Sequence, residues 1–442
     1  MQVSIVGTGY VGLVSGVCLA DLGHDVVCVD VDEAKVATIN AGTSPIHEDG
    51  LTERLERVVG SRLRATTDIG AAIAETEVTI LAVGTPFGED RIDLSQIEAA
   101  AFQVGEALRD LDRYHVVAVK STVVPGTTEE VVGPAIERSS GRRVGRDVGL
   151  AMNPEFLREG VAVSDFMAPD RIVLGGVDQR TLDVLSEVYA VFDGTPILRV
   201  DPRTAEMIKY ASNALLASLI SFSNEVANLC AEIGTDVVEV LHGVQLDRRW
   251  SPVVDGTRVS PGILAFLAAG CGFGGSCFPK DVKALMAHGE AAGVDMGLLR
   301  SVLEVNANQP RVLIERLRKH LDPAGRQIAV LGAAFKPGTD DVRESPTLSI
   351  VPELVAQGAT VIVHDPVATT NCQAVLGDAG ISYTDDLDAA LAGSDAILIV
   401  TSWPEYRQVP ALLDGRDPIV VDGRRMLARD SVARYDGIGF PD

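Results

Sequence analysis

A cysteine lies between a run of glycines and a Pro-Lys-Asp sequence in the segment GFGGSCFPKD, residues 272–281. The glycines allow a ligand to approach the backbone closely, and Pro279 is well placed to begin a helix. Backbone N–H groups at a helix start and the neighbouring Lys280 both favour the thiolate form of Cys277. The segment therefore indicates a nucleophilic cysteine, with a small buried residue in a tight turn as the alternative.

A lysine and an asparagine form a second candidate set, on a long apolar segment. Residues 203–233 contain no proline and end before Gly234, a natural helix terminator, so we expect one helix about 45 Å long. The segment is apolar nearly all round, which predicts burial by two domains and a second subunit. Lys209 and Asn213 are four residues apart and share a face. A buried lysine needs an anion, so Lys209 meets either a reacting group or a structural ion-pair partner.

Two glutamates are spaced four apart in the segment NPEFLREG. Glu155 and Glu159 follow Pro154, at which a helix is expected to begin. The two carboxylates could flank an active site or only favour the helix N-terminus electrostatically. Taken alone, the residues favour the second interpretation.

A dinucleotide-binding pattern opens the chain. Gly7, Gly9 and Gly12 form G-x-G-x-x-G directly after the strand VSIV, and Asp30 ends the next strand. The first glycine allows the turn, the second admits a pyrophosphate and the third packs helix on strand, while the acid meets the ribose hydroxyls. No arginine follows Asp30 to bind a 2′-phosphate. The pattern therefore predicts NAD in preference to NADP.

Two further apolar strands end in small polar residues. Thr85 and Pro86 follow the first, and Ser121 and Thr122 follow the second. Ligands bind at the carboxyl ends of parallel strands, so these residues are candidates for cofactor or substrate contacts. Ordinary turn chemistry is an equally good explanation.

The N-terminal pattern has a weak echo late in the chain. RQIAVLGAAFKPGTDD resembles a strand entering a glycine-bearing turn, but it lacks G-x-G-x-x-G and contains Lys336 instead. We therefore expect a second nucleotide-binding sheet that recognises phosphate by lysine. The predicted fold is α/β, with two Rossmann-like doubly wound parallel-sheet domains joined by a long central helix. The expected domains are residues 1–200, 201–310 and 311–442.

The charge and cysteine content of the chain indicate which partners and which cellular compartment to expect. The 442 residues carry 62 acidic and 38 basic side chains, a formal charge of −24, which disfavours nucleic acid and anionic membranes. High-salt adaptation and a GC-rich genome explain the lysine-poor, acidic composition equally well. We find no apolar run long enough to span a bilayer and predict no metal site. Six cysteines without paired spacing favour free thiols, hence a cytoplasmic protein.

Six segments, taken together, resemble the UDP-glucose/GDP-mannose dehydrogenase family: GTGYVG, STVVPGT, NPEFLREG, EMIKYASNA, GFGGSCFPKD and FKPGTDDVRESP. The similarity runs in order from residue 1 to about residue 425. It implies NAD on the N-terminal domain, a nucleotide sugar on the C-terminal domain and a homodimer, or a higher homo-oligomer, built around the long helix. In this family a sugar C6 alcohol is oxidised to a uronic acid through a covalent cysteine adduct.

The resemblance also implies a role for individual residues. Cys277 would be the nucleophile, Lys209 and Asn213 would stabilise oxyanions, Asp281 and Thr122 would hold a water, and Glu159 would be the base for hydrolysis. The implied cofactor-side residues are Gly7, Gly9, Tyr10, Val11, Gly12, Asp30, Lys35, Thr85, Pro86, Ser121, Thr122, Glu159, Lys280 and Arg343. The implied substrate-side residues are Glu155, Phe156, Leu157, Arg158, Lys209, Asn213, Arg249, Phe266, Gly274, Lys336 and Arg424.

One segment departs from the family pattern. After LDRRW the chain inserts residues 251–263, next to Arg249, which best matches a family arginine that reaches the neighbouring subunit's substrate. Whether the substrate is UDP-glucose, GDP-mannose or another nucleotide sugar is therefore open. A one-step NAD alcohol dehydrogenase and an inactive nucleotide sensor are further alternatives.

Overall fold

The computed structural model describes residues 1–88 and 90–441. The chain divides into two compact units, residues 1–212 and 213–442. The expected three-part division, with its boundaries at 200 and 310, stays a prediction.

A single sheet forms the centre of the first unit. In residues 1–88 and 90–212 its strand order is β3-β2-β1-β4-β5-β6-β7-β8. Strands β1 to β6 are parallel in the doubly wound order, whereas β7 runs antiparallel to β6. The strands are β1 Gln2–Val6, β2 Asp25–Val29, β3 Leu63–Thr66, β4 Val78–Leu81, β5 His115–Val119, β6 Val148–Met152, β7 Ile172–Gly176 and β8 Ile197–Val200.

Helices connect these strands and cover the sheet. Strands β4 and β5 are buried along their whole length, as expected for parallel strands with helices on both faces. The helices are α1 Tyr10–Asp21, α2 Glu33–Asn40, α3 Leu51–Val58, α4 Ile69–Glu75, α5 Ser95–Leu108, α6 Gly133–Ser140, α7 Ala162–Met167 and α8 Gln179–Val188, with a π-helical turn Thr128–Val132 before α6.

The long apolar segment is one helix, α9, Pro202–Ile233. It ends where predicted, because Gly234 takes the left-handed conformation with φ +75° that terminates helices. In the single chain α9 is not buried all round, and its expected burial by a second subunit stays a prediction. Leu215, Phe222 and Leu229 are each more than half exposed and repeat every seven residues along one side.

A second sheet forms the centre of the second unit. Its order, β13-β12-β11-β14-β15-β16, repeats the doubly wound order of β1 to β6, and all its neighbouring strands are parallel. The late echo of the N-terminal pattern is therefore a true second Rossmann-like sheet, and the predicted fold class is confirmed. The strands are β11 Gln327–Leu331, β12 Thr360–His364, β13 Ile381–Thr384, β14 Ala396–Ile399, β15 Ile419–Asp422 and β16 Tyr435–Gly437.

The inserted segment forms a small hairpin of strands β9, Val253–Val254, and β10, Thr257–Arg258. The helices of this unit are α10 Val237–Gln245, α11 Phe278–Ala291, α12 Gly297–Arg318, α13 Thr347–Ala356, α14 Thr369–Leu376, α15 Leu387–Leu391 and α16 Val409–Leu412. Short 3₁₀ turns occupy Gly262–Phe266, Pro404–Gln408 and Arg429–Ser431.

In the described part of the chain, one helix is long and apolar enough to cross a membrane by length and composition alone, and it is α9. This corrects the expectation that no apolar run is long enough. Serine and asparagine residues interrupt the apolar residues of α9, but the mean hydropathy of its most apolar stretch stays high. Buried core helices of soluble proteins pass the same test, and Tyr210, Ala217 and Ala227 of α9 are fully buried.

Candidate active site

The turn after β1 has the shape that a dinucleotide motif requires. Gly7 has φ +96°, and a Cβ there would lie 2.7 Å from the carbonyl oxygen of Ala82. A Cβ on Gly12 would collide with the carbonyl of Gly7. A Cβ on Gly9, by contrast, would meet nothing within 4 Å. The first and third glycines are thus needed for packing, whereas the second borders open space at the start of α1.

The N-terminus of α1 is suited to an anion. Gly9 is its N-cap, so no side chain caps the first N–H groups, and no acidic residue lies in the first turn, which Tyr10 and Val11 begin. Exposed N–H groups and the helix dipole favour a phosphate at such a position. The residues present therefore fit the diphosphate of a dinucleotide.

Asp30 follows β2 and is held in place by this turn. Its Oδ2 accepts hydrogen bonds from the backbone N–H of Thr8 at 2.8 Å and from the Thr8 hydroxyl at 2.6 Å. Burial opposes ionisation of Asp30, but these bonds and the ammonium of Lys35 outweigh burial and lower the pKa of the carboxyl. An ionised acid here can accept from ribose hydroxyls and repels a 2′-phosphate.

A residue that the sequence analysis missed connects the turn to the NPEFLREG segment. Glu48 is buried, and its carboxylate accepts from the Tyr10 hydroxyl and from the backbone N–H groups of Gly160, at 2.7 Å, and Ala162, at 2.6 Å. Tyr10 was predicted on the cofactor side, but its hydroxyl points to Glu48. The segment IHEDGL offered no signal, because Glu48 is far in sequence from both of the groups it joins.

The polar residues after β4 and β5 bond to one another. The Thr85 hydroxyl donates to the carbonyl of Thr122 at 2.7 Å, and the Ser121 hydroxyl donates to the carbonyl of Val83 at 2.7 Å. Pro86 follows this contact and is exposed. These bonds align the two loops at the carboxyl edge of the sheet, beside the point between β1 and β4 where the strand order reverses, the usual ligand position in such sheets.

Lys209 forms a buried ion pair with Glu155. Its Nζ lies 2.7 Å from Oε1 of Glu155, and both side chains are less than a tenth exposed. The ammonium also lies 5.6 Å from the ring centre of Phe156. Burial opposes ionisation of Glu155, but the adjacent ammonium outweighs burial and lowers the pKa of the carboxyl. Of the two sequence alternatives for Lys209, the ion pair is present, with Glu155 as its partner.

The other residues of NPEFLREG are arranged around this pair. The N–H of Leu157 donates to Oε2 of Glu155 at 2.6 Å. Arg158 turns outward and forms an exposed salt bridge with Asp165. Glu159 is half-buried. The expected helix start after Pro154 is wrong, because α7 begins only at Ala162 and residues 153–158 are irregular.

Cys277 lies where the glycine-rich loop meets helix α11, as its N-cap residue, with Pro279 in the first turn. It is half-buried, whereas the other five cysteines are buried. No disulfide joins cysteines in residues 1–88 and 90–441, and no cluster of three metal-binding side chains occurs there. Cys277 is therefore the thiol with access to a ligand.

Asp281, one helical turn after Cys277, contacts two other predicted site residues. Its carboxylate accepts from the side-chain amide of Asn213 at 2.6 Å and pairs with Lys280 Nζ at 2.6 Å. Asp281 and Asn213 are both buried. The structure thus brings Cys277, Asn213, Lys280 and Asp281 together at the start of α11.

The loop before Cys277 is clamped by the segment after β11. A Cβ on Gly274 would collide with the carbonyl of Glu344, and a Cβ on Gly275 would lie 2.7 Å from the ring of Phe335. The N–H of Gly275 donates to the carbonyl of Arg343 at 2.8 Å. The segment FKPGTDDVRESP, residues 335–346, therefore supports the loop that carries Cys277. Lys336 in this segment is half-buried, and its expected contact with phosphate stays a prediction.

Buried amides on two helices also hold this loop, and the sequence analysis missed them. Asn224 of α9 accepts from the N–H of Gly270 at 2.8 Å, and Gln309 of α12 donates to the carbonyl of Gly270 at 2.9 Å. Asn306 accepts from the N–H of Phe273 at 2.7 Å. Polar residues on an otherwise apolar buried helix face were the available signal.

The remaining predicted residues lie at several places in the second unit. Arg424 donates to the backbone carbonyls of Val400 and Gly272, so it contacts the loop before Cys277. Phe266 packs 6.1 Å from the ring of Phe278. Arg249 and Arg343 both point outward and pair with an acid two residues earlier, Asp247 and Asp341.

Comparison with protein families gives a consistent result along the whole chain. Residues 1–193 match the NAD binding domain of the UDP-glucose/GDP-mannose dehydrogenase family, residues 203–308 its central domain and residues 329–429 its UDP binding domain.

Individual proteins are similar over their full length. A UDP-glucose 6-dehydrogenase of Haloferax volcanii is 46% identical, over 99% of this chain and 100% of that protein. The structure of a UDP-glucose dehydrogenase from Pyrobaculum islandicum superposes with a TM-score of 0.91 at 43% identity, covering 99% of this chain and 97% of that one. A UDP-D-ManNAc dehydrogenase structure from Pyrococcus horikoshii gives 0.84 at 30% identity, with 99% of both chains covered.

Proposed function

The chain belongs to the UDP-glucose/GDP-mannose dehydrogenase family, and from this premise we propose that it oxidises the C6 alcohol of UDP-glucose to UDP-glucuronate with two NAD per sugar. The 46% identity to a UDP-glucose 6-dehydrogenase supports UDP-glucose as the substrate. The observation that carries the proposal is the position of Cys277, the one cysteine that is not buried, at the start of α11 in a loop supported on several sides.

The nucleophile explains how one site removes four electrons. The first oxidation gives an aldehyde, whose C–H hydrogen can leave as a hydride only after a nucleophile has added to the carbon and made it tetrahedral. The Cys277 thiolate adds to the aldehyde carbon and the oxygen takes up a proton, giving a hemithioacetal. Loss of a second hydride and of that proton gives a thioester. Water then cleaves the C–S bond, which releases the carboxylate and restores the thiol.

The cofactor side is assigned to the first unit. The open space at Gly9, the uncapped start of α1 and the ionised Asp30 fit the diphosphate and ribose of NAD. Two NAD molecules, bound there one after the other, would each accept one hydride. Thr85, Ser121 and Thr122 would contact the cofactor or the reacting sugar.

Polar groups near the reacting carbon carry the charge and the protons. Lys209, with Asn213 one helical turn later, would stabilise the oxyanions that form at C6. Asp281 and Thr122 would hold a water molecule, and Glu159 would take its proton during hydrolysis. Glu155 contacts Lys209 directly, so Glu155 is a second candidate for that base.

We also infer a homodimer formed through α9. Leu215, Phe222 and Leu229 are 56%, 51% and 59% exposed in the single chain and line one side of the helix at a seven-residue spacing. Three large apolar side chains in one row are typical of an interface rather than of solvent-exposed surface. A dimer in the cytoplasm also explains the apolar character of α9 without a membrane. Phe222→Glu should shift the mass measured by light scattering to that of a monomer.

Parallel assays with UDP-glucose, GDP-mannose and UDP-N-acetylmannosamine test the proposal. We expect NADH from UDP-glucose, with two NADH formed per sugar at completion. One NADH per sugar would indicate a simple alcohol dehydrogenase. Preference for GDP-mannose would replace the substrate but keep the chemistry, and no NADH from any sugar would indicate a nucleotide sensor.

A further inference from the structure

A lysine to which neither the sequence motifs nor the proposed mechanism gives a role is buried next to the segment that carries Glu155, because its hydrogen-bond partner Asn153 lies two residues before Glu155. Lys120 directly follows β5 and is 4% exposed. Its Nζ donates to Oδ1 of Asn153 at 3.1 Å. The same oxygen accepts from the Tyr189 hydroxyl at 2.5 Å, and the Asn153 amide donates to the carbonyl of Val173. Asn153 is thus fixed on both sides and holds the ammonium in one place.

Burying this ammonium is unfavourable for the fold. Its one hydrogen bond is to a neutral amide, whereas buried lysines normally pair directly with an acid. Methionine or leucine would fill the same space without removing a charge from water. A charged group that the core does not need for packing points to a role in the neighbouring site.

The groups that face Lys120 define that role. Glu155 attracts it, Lys209 repels it, and the ring centre of Tyr189 lies 6.0 Å from its Nζ. Burial raises the pKa of Tyr189, so this hydroxyl stays neutral over the working pH range. Glu155 is therefore the carboxylate on which both Lys120 and Lys209 act.

We propose that Lys120 is a positioning residue: its ammonium keeps Glu155 ionised and bound to Lys209, and it adds positive potential where Lys209 meets an oxyanion. This rests on the proposed function, in which Lys209 stabilises charge at C6. Removing the charge of Lys120 weakens that stabilisation and leaves the cofactor turn untouched.

The state of Lys120 depends on pH. Burial, together with the repulsion from Lys209, outweighs the attraction of Glu155 and lowers the pKa of Lys120 to about 8. Wild-type turnover should therefore fall on the alkaline side as Lys120 loses its proton. If Lys120 served only in packing, its titration would not produce this alkaline limb in the pH profile of kcat.

Two substitutions at Lys120 test the proposal through the pH profile of UDP-glucose oxidation. Lys120→Met should lower kcat about tenfold or more near pH 7, change KM for NAD little, and lose the limb near pH 8. Lys120→Arg keeps a charge that does not titrate, so its activity should extend to higher pH than that of the wild type. Lys319→Met, which removes an exposed lysine, is the matched control and should keep the wild-type profile.

Stability provides a readout that does not need turnover. The unfolded chain holds the lysine proton up to about pH 10.5 and the native chain only up to about 8, so unfolding takes up a proton between these values. Wild-type stability should therefore rise with pH in this window, relative to Lys120→Met, and the variant should be no less stable than the wild type at pH 7.

Three results would overturn the proposal. They are an unchanged limb near pH 8 in either variant, wild-type kcat in Lys120→Met, or a Lys120→Met protein that melts far below the wild type and loses NAD binding. A wild-type chain that does not oxidise UDP-glucose would instead overturn the proposed function. The stability measurement would then still show whether Lys120 titrates beside Glu155.

Discussion

The side-chain amide of Asn213 donates a 2.6 Å hydrogen bond to the carboxylate of Asp281, and both groups are buried. Lys280 occupies the other oxygen of the same carboxylate. Asp281 therefore ties α9 to the helix that carries Cys277 at its start. This contact has a structural role, because it holds the start of the helix that follows Cys277 against α9.

Removing this carboxylate should both destabilise the protein and slow the reaction. Asp281→Ala leaves Asn213 without its acceptor and Lys280 without its counter-charge, so the free energy of unfolding should fall by about 3 kcal/mol. Denaturant unfolding of the whole protein measures this loss, and kcat for UDP-glucose oxidation measures the slower reaction. Lys283 lies on the same helix as Asp281 and forms an exposed contact with Glu344. Lys283→Ala breaks this contact and should lower the free energy of unfolding by less than about 1 kcal/mol. Equal losses in the two variants would show that Asp281 has no special structural weight.

Most of the fold could be predicted from local sequence patterns. The G-x-G-x-x-G turn, the alternation of strands and helices and the late echo all predicted doubly wound sheets, and both sheets have that order. The antiparallel β7 was not foreseen, because a strand's direction depends on the path of the connection before it and not on its own residues.

The site was foreseen only as separate motifs. Sequence separation hides that Glu155 pairs with Lys209 and that Glu48 joins Tyr10 to Gly160. Supporting amides such as Asn224 were missed because a polar residue on a buried helix face indicates a hydrogen bond without showing which backbone group it contacts.

The glycines of the first turn should separate binding from folding. Gly9→Val adds atoms to open space, so the protein should fold normally and lose NAD affinity by at least about tenfold. Gly12→Val places atoms against the carbonyl of Gly7 and should lower the melting temperature. Titration with NAD and thermal melting distinguish the two. A Gly9→Val protein with wild-type NAD affinity would show that the cofactor does not bind at this turn.

The Glu155–Lys209 pair should show strong coupling. Lys209→Met leaves a buried carboxylate without its cation, at a cost of about 3 kcal/mol in stability, and should raise the reaction barrier by at least about 2.7 kcal/mol. Adding Glu155→Gln should recover much of the stability and none of the turnover, because the oxyanion still lacks its ammonium. NAD affinity should change little in either protein. If the double variant regains turnover, Lys209 acts only as the partner of Glu155.

The reactivity of the six cysteines should differ sharply. Burial raises the pKa of Cys18, Cys28 and Cys372 to about 12 and that of Cys271 to about 11, so these thiols hold almost no thiolate near neutral pH. Cys277 is half-buried at a helix N-terminus. Iodoacetamide should therefore modify Cys277 first, and UDP-glucose should protect it. Peptide mass mapping after a short reaction identifies the modified residue.

Cys277→Ser tests the covalent mechanism directly. The variant should fold and bind both nucleotides, because serine fits the same N-cap position, yet release of uronic acid should collapse since a serine hydroxyl supplies no comparable anion. The first oxidation needs no nucleophile, so a trapping amine should still capture some aldehyde from the variant. Wild-type protein quenched early with UDP-glucose should carry a sugar-nucleotide mass on the peptide that contains Cys277. A variant that releases uronic acid at the wild-type rate would exclude the thioester, and the four-electron oxidation would then need another acceptor for the aldehyde.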